Sequence, residues 1–425
     1  MSGLKTISIL CSLIVVPLTI DYLSKYEYGI WLTIFSMVSW LSFFDLGIGN
    51  GLRNKFIEAK ERGKNKLARI YVSTSYVLIG IIILFVWSIG SIAAFSVDWT
   101  KLLNTDPSLA PVLAWTIEIA LTNFAGQFVF SLGKVLLLAV QKPALASSFD
   151  TVIQIAINCV ILILIHTTKG SLIWLALAVT CTSTVIYFIT NIWCFQTILK
   201  DYRPSWKYVR FRLVRGVMSM GFIFFFIQII NIAYYQTTNI IISHFVGPDE
   251  VTVYNIAYKY MFVLTMAFNI LITPFWSAYA EARVNGDYLW MKATTRRLVK
   301  ITGLIVLGGI GMVLVSPWVY KLWIGDKVQI PMIITILVCL FQLFYIWSLL
   351  WSNILFGFGK IKLQTIMTGL CVLFYLPIGI IVCSHYGVVG LLSVALITFL
   401  IFNSWFGIIQ VRKLINGTAR GIWNK

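Results

Sequence analysis

The stretch from Phe43 to Arg69 reads FFDLGIGNGLRNKFIEAKERGKNKLAR, and it joins an apolar run to a strongly basic one. Asp45 stands where the apolar run ends, and three glycines follow within six residues. Seven lysines and arginines then face only two acids, Glu58 and Glu61, before the next apolar run begins at Ile70. A chain cannot carry this much charge into hydrocarbon, so the stretch marks a membrane surface. Its basic excess predicts that this surface is the cytoplasmic one.

The whole chain is too apolar for a water-soluble protein. Its 425 residues are 59% hydrophobic and 11% charged, with a mean hydropathy of +0.89, whereas a soluble domain is about 25% charged. The apolar runs are continuous and about 17–30 residues long, which favours membrane-spanning helices over the alternating strands of a barrel. The formal charge of +18 falls mostly on one side of the predicted membrane, so we interpret it as a topology signal and expect no nucleic-acid partner.

The sequence contains about twelve apolar segments of spanning length. Their approximate cores are residues 4–20, 28–48, 70–95, 111–140, 149–166, 171–195, 216–245, 252–275, 299–320, 330–358, 363–384 and 387–411.

The distribution of basic residues orients these segments. If the N-terminus is cytoplasmic, the outer segments hold only five lysines: Lys25, Lys101, Lys169, Lys321 and Lys327. Two more lysines fall within spans, and every other lysine and arginine falls on an inner segment. Such a bias predicts an even number of spans, with both termini in the cytoplasm.

A weak internal repeat supports a division into halves. The pattern E-A-x-x-x-G that begins at Glu58 recurs at Glu281, and each copy lies between the second and third spans of a half. Parallel repeats of this kind are related by an axis along the membrane normal, with a substrate site between them. We therefore predict two six-helix lobes, residues 1–200 and 201–425.

Four short motifs resemble one family of exporters. They are DLGIGNGLRN at 45–54, YVST at 71–74, LSKYEYG at 23–29, and PFWSA at 274–278 followed by Glu281-Ala282. Together they resemble the Wzx-type flippases, which export lipid-linked O-antigen and related polysaccharide repeat units. The resemblance implies the fold of the multidrug/oligosaccharidyl-lipid/polysaccharide (MOP) exporter superfamily, an all-α, MATE-like arrangement of two six-helix lobes around a central cavity. It also implies an undecaprenyl-diphosphate-linked oligosaccharide substrate and the bacterial inner membrane.

Two lysines lie inside predicted spans, where an ionisable side chain is costly and therefore a functional candidate. Lys134 in span four shares a polar helical face with Asn123 and Gln127, and Lys259 in span eight follows Asn255 by one turn. Fixed cations and polar donors can replace the water that a diphosphate sheds when it crosses a membrane. The alternatives are snorkelling of either lysine towards the membrane surface, or a structural pair of Lys259 with a carboxylate.

Three acids are also placed in or at the ends of spans. Glu118 is a candidate for coupling to H⁺ or Na⁺, against the alternative of a neutral or paired structural acid. Asp45 is a second coupling candidate at the inner end of span two. For Asp45 and for Asp150, a cap or a salt bridge to nearby lysines is the favoured interpretation.

Further polar residues could contact sugar or the head group. Gln228 and Asn231 begin a polar stripe in span seven, a cavity wall for sugar hydroxyls or a source of interhelical hydrogen bonds. Interhelical hydrogen bonds are the expected role of the remaining span asparagines, Asn158, Asn191, Asn269 and Asn353. Arg53, Arg212 and Arg215 are candidate head-group contacts at a cytoplasmic gate, or simply orient the chain and contact anionic lipid.

The motifs of catalysis are absent from the sequence, since it has no H-E-x-x-H, Walker A or nucleophile-elbow pattern. Its seven cysteines form no C-x-x-C pair, and we expect packing roles for them, with no catalytic residue, metal or cofactor beyond a coupling H⁺ or Na⁺. The sequence thus favours a flippase. Its expected partners are membrane lipids, the lipid-linked oligosaccharide, and the polysaccharide polymerase and chain-length machinery. A MOP-fold drug/cation antiporter, and a membrane polymerase or glycosyltransferase, stay open as alternatives.

Overall fold

A computed structural model describes residues 2–41, 48–213, 236–360 and 362–424, and this part of the chain is helical with no β-strand. The helices of the first half are α1 (Ser2–Tyr22), α2 (Lys25–Ser39), α3 (Ile48–Glu61), α4 (Asn65–Ser96), α5 (Trp99–Leu103), α6 (Ala110–Phe130), α7 (Leu132–Ala139), α8 (Pro143–Thr167) and α9 (Leu172–Gln196). Those of the second half are α10 (Thr237–Phe245), α11 (Pro248–Val284), α12 (Tyr288–Ile324), α13 (Met332–Phe358), α14 (Lys362–Asn403) and α15 (Phe406–Ile415). Short 3₁₀ turns lie between them, three of which fall in the connection at 200–213.

The predicted class of an all-α, multi-pass membrane protein is confirmed. Within the described ranges, eight helical segments are long and apolar enough to cross a membrane, and Ile7–Tyr22 is a shorter apolar helix. One of these segments, 362–415, covers two predicted spans, and the backbone of Gly387 (φ 61°) bends the helix between them. The predicted spans 28–48 and 216–245 lie partly outside the described residues. The cytoplasmic location of the termini stays a prediction.

The chain forms two compact units, residues 1–249 and 250–425. The predicted lobe boundary at residues 200 and 201 stays a prediction. In the first unit α3, α4 and α7 share a core around Leu52, Phe56 and Leu136, none of which is exposed. In the second unit α11, α13 and α15 share a core around Tyr279 and Ile354. Inside a membrane such cores are held by close packing, because surrounding lipid is equally apolar.

The internal repeat is visible in the local structure of both units. Gly63 and Gly286 end their helices with left-handed backbones, at φ 68° and 69°. The amide after each glycine, that of Lys64 or Asp287, donates to the carbonyl five residues earlier at 2.9 Å. This is the Schellman termination, which satisfies carbonyls that a helix end leaves free. The E-A-x-x-x-G pattern therefore encodes the same helix ending twice.

The first turns of α2 are fixed by contacts within the first unit. Ser24 and Glu27 form a capping box at the start of α2. One turn later Gly29 meets the start of α11, where a Cβ on this glycine would lie 1.8 Å from the carbonyl oxygen of Pro248. Further along α2, the Asn239 side chain of α10 donates to Ser36 at 2.7 Å in a buried contact. The LSKYEYG motif thus builds a capped helix start with a glycine at a close approach.

Candidate functional site

The helix of span four has a one-residue interruption of its α-helical hydrogen bonding at Ser131, between α6 and α7, where the backbone stays right-handed (φ −63°, ψ −18°). The amide of Lys134 donates to the carbonyl of Ser131 at 3.0 Å, three residues back. The carbonyl of Phe130 therefore loses its usual partner four residues on. The side-chain amide of Asn191, on α9, donates to that carbonyl at 2.8 Å. A free carbonyl in hydrocarbon is costly, so a break at this depth requires such a replacement partner.

Asn191 is itself held in place by its neighbours. Its amide also donates to the hydroxyl of Tyr76 on α4, at 2.7 Å. Gly133 lies against it, and a Cβ at Gly133 would stand 3.1 Å from the amide nitrogen of Asn191. The small residue after the break therefore lets α9 approach closely enough for its asparagine to reach the backbone of α6.

The Lys134 ammonium pairs with Asp150 directly after this break. Its Nζ donates to both carboxylate oxygens, Oδ1 at 2.7 Å and Oδ2 at 2.6 Å. The hydroxyl of Tyr187 donates to the same Oδ1 at 3.3 Å. Three helices, α7, α8 and α9, thus contribute one member each to the cluster, which we call the 134–150–187 cluster. The expected salt bridge between Asp150 and a nearby lysine is confirmed.

The cluster is charged but only half-buried. The Lys134 and Asp150 side chains are 29% and 40% exposed. An ion pair in a span repays its desolvation only when its geometry is good, and a bidentate pair with a third hydrogen bond meets that condition. Such groups mark functional sites in membrane proteins more often than they add stability.

The other predicted members of the span-four stripe are half-buried beside the break. The amide of Asn123 donates to the carbonyl of Ile119 in its own helix at 2.9 Å. The backbone carbonyl of Gln127 accepts from the amide of Ser131 at 2.9 Å. The stripe therefore runs along α6 towards Lys134 and reaches the interruption, which its spacing does not predict.

Glu118 lies on α6, away from this cluster, and its side chain contacts α4. Its Oε1 accepts from Ser91 at 3.1 Å and from Thr122 at 3.0 Å, while the indole of Trp87 donates to the Thr122 hydroxyl at 3.0 Å. Its second oxygen, Oε2, is buried and has no hydrogen-bond partner within the described part of the chain. A cavity of about 220 Å³ adjoins this contact and is lined by Gly80, Ile83, Leu84, Trp87, Thr122 and Ala125.

The candidates of the second unit lie on α11. Asn255 is buried and its amide donates to the carbonyl of Val251 at 2.8 Å, and Lys259 is half-buried one turn later. Arg53 and Arg212, the predicted gate contacts, are exposed. Four further predicted residues lie outside the described ranges: Asp45, Arg215, Gln228 and Asn231.

The connection after span six folds back onto α4. The amides of Ser205 and Arg210 donate to the hydroxyls of Ser73 and Thr74, at 3.1 and 3.0 Å. The guanidinium of Arg69 lies 4.3 Å from the centre of the Tyr208 ring. The hydroxyls of the YVST motif, at the start of span three, therefore bind the backbone of this basic segment.

The sequence did not reveal the helix break, and it did not single out Tyr187. Asn191 was expected to make interhelical hydrogen bonds, and it does, as does Asn158, whose amide donates to the carbonyl of Cys11 at 3.0 Å. The amides of Asn269 and Asn353 donate instead within their own helices. The one local signal for the break is the serine–glycine pair that flanks Leu132, and this signal is weak.

The described residues contain no group of three or more His, Cys, Asp or Glu side chains that could hold a metal ion. The seven cysteines are free thiols. The titratable groups of the site are thus the carboxylates, the lysines and the tyrosine already named.

A family model of polysaccharide biosynthesis proteins matches residues 1–279. The chain belongs to this family. A relative from Yersinia pseudotuberculosis, described as a candidate O-antigen export protein, is 22% identical over 95% of this chain and 92% of its own length. The resemblance to the polysaccharide exporters is therefore confirmed.

Solved structures confirm the MATE-like fold. An inward-facing multidrug resistance MATE transporter of the MOP superfamily matches with a TM-score of 0.75 at 14% identity, over 98% of this chain and 95% of that one. A MOP superfamily transporter from Pyrococcus furiosus matches with a TM-score of 0.66 at 15% identity, over 99% and 96%. At this identity the likeness shows the fold alone. The relatives are export proteins and transporters, not enzymes.

Proposed function

We propose that this protein is a flippase in the bacterial inner membrane. It moves undecaprenyl-diphosphate-linked oligosaccharide repeat units, of O-antigen or a related surface polysaccharide, from the cytoplasmic to the outer leaflet. Family membership supports the pathway, and the MOP fold supports a transporter. The observation that carries the proposal to a site is the Lys134 ammonium, held half-exposed in a span beside an interrupted helix.

The proposed substrate has two polar parts, a diphosphate and sugars, and different candidate residues would bind each part. Its diphosphate is anionic and must shed water, so Lys134 and Lys259 are the proposed cationic contacts. Its sugars carry hydroxyls, for which amides are suitable partners, and the proposed contacts are Asn123, Gln127, Gln228, Asn231 and Asn255. The polyprenyl tail stays in lipid throughout.

The transport cycle is one of alternating access between two lobes, residues 1–200 and 201–425, with both termini in the cytoplasm. Arg53, Arg212 and Arg215 are proposed to meet the head group at the cytoplasmic side. Glu118 and Asp45 are proposed to couple the cycle to H⁺ or Na⁺, since a difference in ion affinity between the two states biases them. The protein performs no covalent chemistry, and the polymerase and chain-length machinery are proposed to take up its product.

The proposal is tested by reconstitution of the purified protein into liposomes that carry a fluorescent undecaprenyl-diphosphate oligosaccharide in both leaflets. A membrane-impermeant lectin or glycosidase then reports how fast the inner-leaflet pool becomes accessible. We expect exchange in minutes with the protein and none in empty liposomes. Equal rates with and without protein would contradict the flippase. Efflux of a cationic dye without movement of the glycolipid would favour the drug antiporter.

A further inference from the structure

The Lys134 ammonium contacts a carboxylate whose two oxygens are both in use. Nζ reaches Oδ1 and Oδ2 of Asp150 at 2.7 and 2.6 Å. A lysine ammonium also binds phosphate oxygens, as a point charge. In this state the cluster carries no net charge from the pair, so the span holds no uncompensated ion. An incoming anion must therefore compete with Asp150 for the ammonium.

We propose that Asp150 is an exchangeable counter-ion, which the phosphate of the substrate displaces from Lys134 and which returns to expel the substrate. This inference rests on the proposed function and assigns a role to a residue outside its contact set. Asp150 acts through Lys134 and is therefore a positioning residue. It lowers the affinity of the site for anions and speeds their release.

The accessibility of the pair permits such an exchange. Lys134 is 29% exposed and Asp150 is 40% exposed, so neither partner is sealed inside the protein. A pair sealed from water could separate only at the large cost of isolating two charges in a medium of low dielectric constant. Partial exposure lowers this cost, because the separated charges are not confined to the interior of the protein.

The cluster also provides a place for the displaced carboxylate. The Tyr187 hydroxyl already donates to Oδ1 of Asp150, at 3.3 Å, which is long for a hydrogen bond between two oxygens. When the ammonium leaves, this contact can shorten and strengthen, because a charged acceptor draws its donors closer. Tyr187 thus holds the carboxylate within reach of Lys134 during the occupied part of the cycle.

The elements that carry the pair differ in their continuity. Lys134 lies on α7, an eight-residue helix that begins directly after the interruption at Ser131. Asp150 and Tyr187 lie on α8 and α9, which are continuous helices of 25 residues each. A small change in the backbone at the interruption would move the ammonium without disturbing the two long helices.

The test measures binding of geranyl diphosphate to the detergent-solubilised full chain by titration calorimetry. Asp150→Asn removes the competing charge, so we expect it to bind the probe at least about tenfold more tightly than the wild type, a difference of about 1.4 kcal/mol. Lys134→Gln should lose this binding, and the double variant should match Lys134→Gln. The exposed pair of Asp98 and Lys101 supplies the control, since Asp98→Asn should leave the affinity unchanged.

Two results would overturn the exchange. One is an Asp150→Asn protein whose affinity equals that of the wild type or falls below it, including the case in which neither binds the probe. The other is a gain in affinity that persists in the double variant, because the effect would then not pass through Lys134.

A second variant covers the case in which Asp150→Asn fails to fold. Tyr187→Phe keeps the ion pair but removes the second anchor of the carboxylate, so displacement costs more and the probe should bind several-fold more weakly. A purely structural hydroxyl would change the melting temperature and leave the affinity alone. The glycolipid assay is scored separately: transport without the affinity pattern refutes the exchange, and the affinity pattern without transport refutes the glycolipid substrate.

Discussion

The side-chain amide of Asn191 lies 2.8 Å from the carbonyl oxygen of Phe130, on a different helix, at the point where span four is interrupted. The carbonyl has no partner within its own helix, because the amide of Lys134 donates to the carbonyl of Ser131 instead. The asparagine of span six therefore supports the break in span four, directly before the segment that carries Lys134 and its contact with Asp150. This relationship ties a structural hydrogen bond to the proposed site.

Asn191→Leu is expected to destabilise the protein by about 1–3 kcal/mol for each polar group that loses its partner inside the membrane. Two groups are affected, the Phe130 carbonyl and the Tyr76 hydroxyl. Thermal unfolding in detergent measures the loss. The matched control is Asn353→Leu, since the amide of Asn353 donates to Leu349 within its own helix. Equal losses in the two variants would show that Asn191 has no special role at the break.

Exchanging the two charges separates a structural pair from a binding one. In the double variant Lys134→Asp with Asp150→Lys, the salt bridge can re-form, so we expect near-normal expression and melting temperature. The ammonium then projects from α8 instead of α7, so glycolipid transport should fall at least about tenfold, as for a misplaced binding group. The same exchange at Asp98 and Lys101, an exposed pair at 3.1 Å, should leave glycolipid transport unchanged. Full transport by the 134–150 exchange would mean that Lys134 acts only through its pair.

Gly29→Ala is expected to lower stability by about 1–3 kcal/mol, as for overpacking of a close contact. Its new Cβ would stand 1.8 Å from the carbonyl oxygen of Pro248, a backbone atom that cannot rotate away. Gly80→Ala is the control in another helix, because a Cβ there meets nothing within 4 Å. The comparison requires only melting temperatures in one detergent. A Gly29→Ala protein as stable as Gly80→Ala would argue against the close approach of α2 to the start of α11.

Gln141→Gly is expected to stabilise the protein by about 1 kcal/mol. Gln141 ends α7 in a left-handed backbone at φ 59°, a conformation that strains any residue with a Cβ. At the end of α13, the same hydrogen-bond pattern is built on Gly359 at φ 67°. The reverse change, Gly359→Gln, should cost a similar amount. Opposite shifts in melting temperature would verify the match between the two turns, and two shifts of the same sign would refute it.

Acid should weaken the first turn of α5, which lies outside the spans. Thr100 and Lys101 donate to Asp98 and lower the pKa of its carboxyl to about 2. A lowered folded-state pKa stabilises the protein above the ordinary aspartate value, and this contribution disappears as the pH falls towards 2. Asp98→Asn should therefore flatten the acid side of a stability–pH curve between about pH 4 and 2. An unchanged curve would show that the loop contributes nothing to acid sensitivity.

The sequence could predict the spans because hydrocarbon imposes one simple requirement. Every backbone group there must bond internally, so a long apolar run becomes a helix whatever its neighbours are. The E-A-x-x-x-G repeat was equally legible, since Glu58 and Glu281 each precede a glycine that a left-handed ending favours. The polar face through Asn123 and Lys134 followed from helical spacing alone.

The contacts between side chains on different helices could not be predicted from the sequence in this way. Lys134 and Asp150 are 16 residues apart, and Asn191 lies 61 residues from Phe130. No local spacing relates such positions, because they meet only when α7, α8 and α9 pack. The interruption at Ser131 also depends on a distant residue. The local residues permit it, and the amide of Asn191 stabilises it by donating to the Phe130 carbonyl.

The sequence by itself determined the membrane, the helices, the basic surface and the repeated E-A-x-x-x-G pattern, because each depends on composition or on residues within one or two turns. Only the tertiary structure decided that the lysine of span four is paired, that a tyrosine joins it, and that an asparagine supports the break beside it. Charges and amides in hydrocarbon must find partners wherever packing brings them, and the packing is a property of the whole chain.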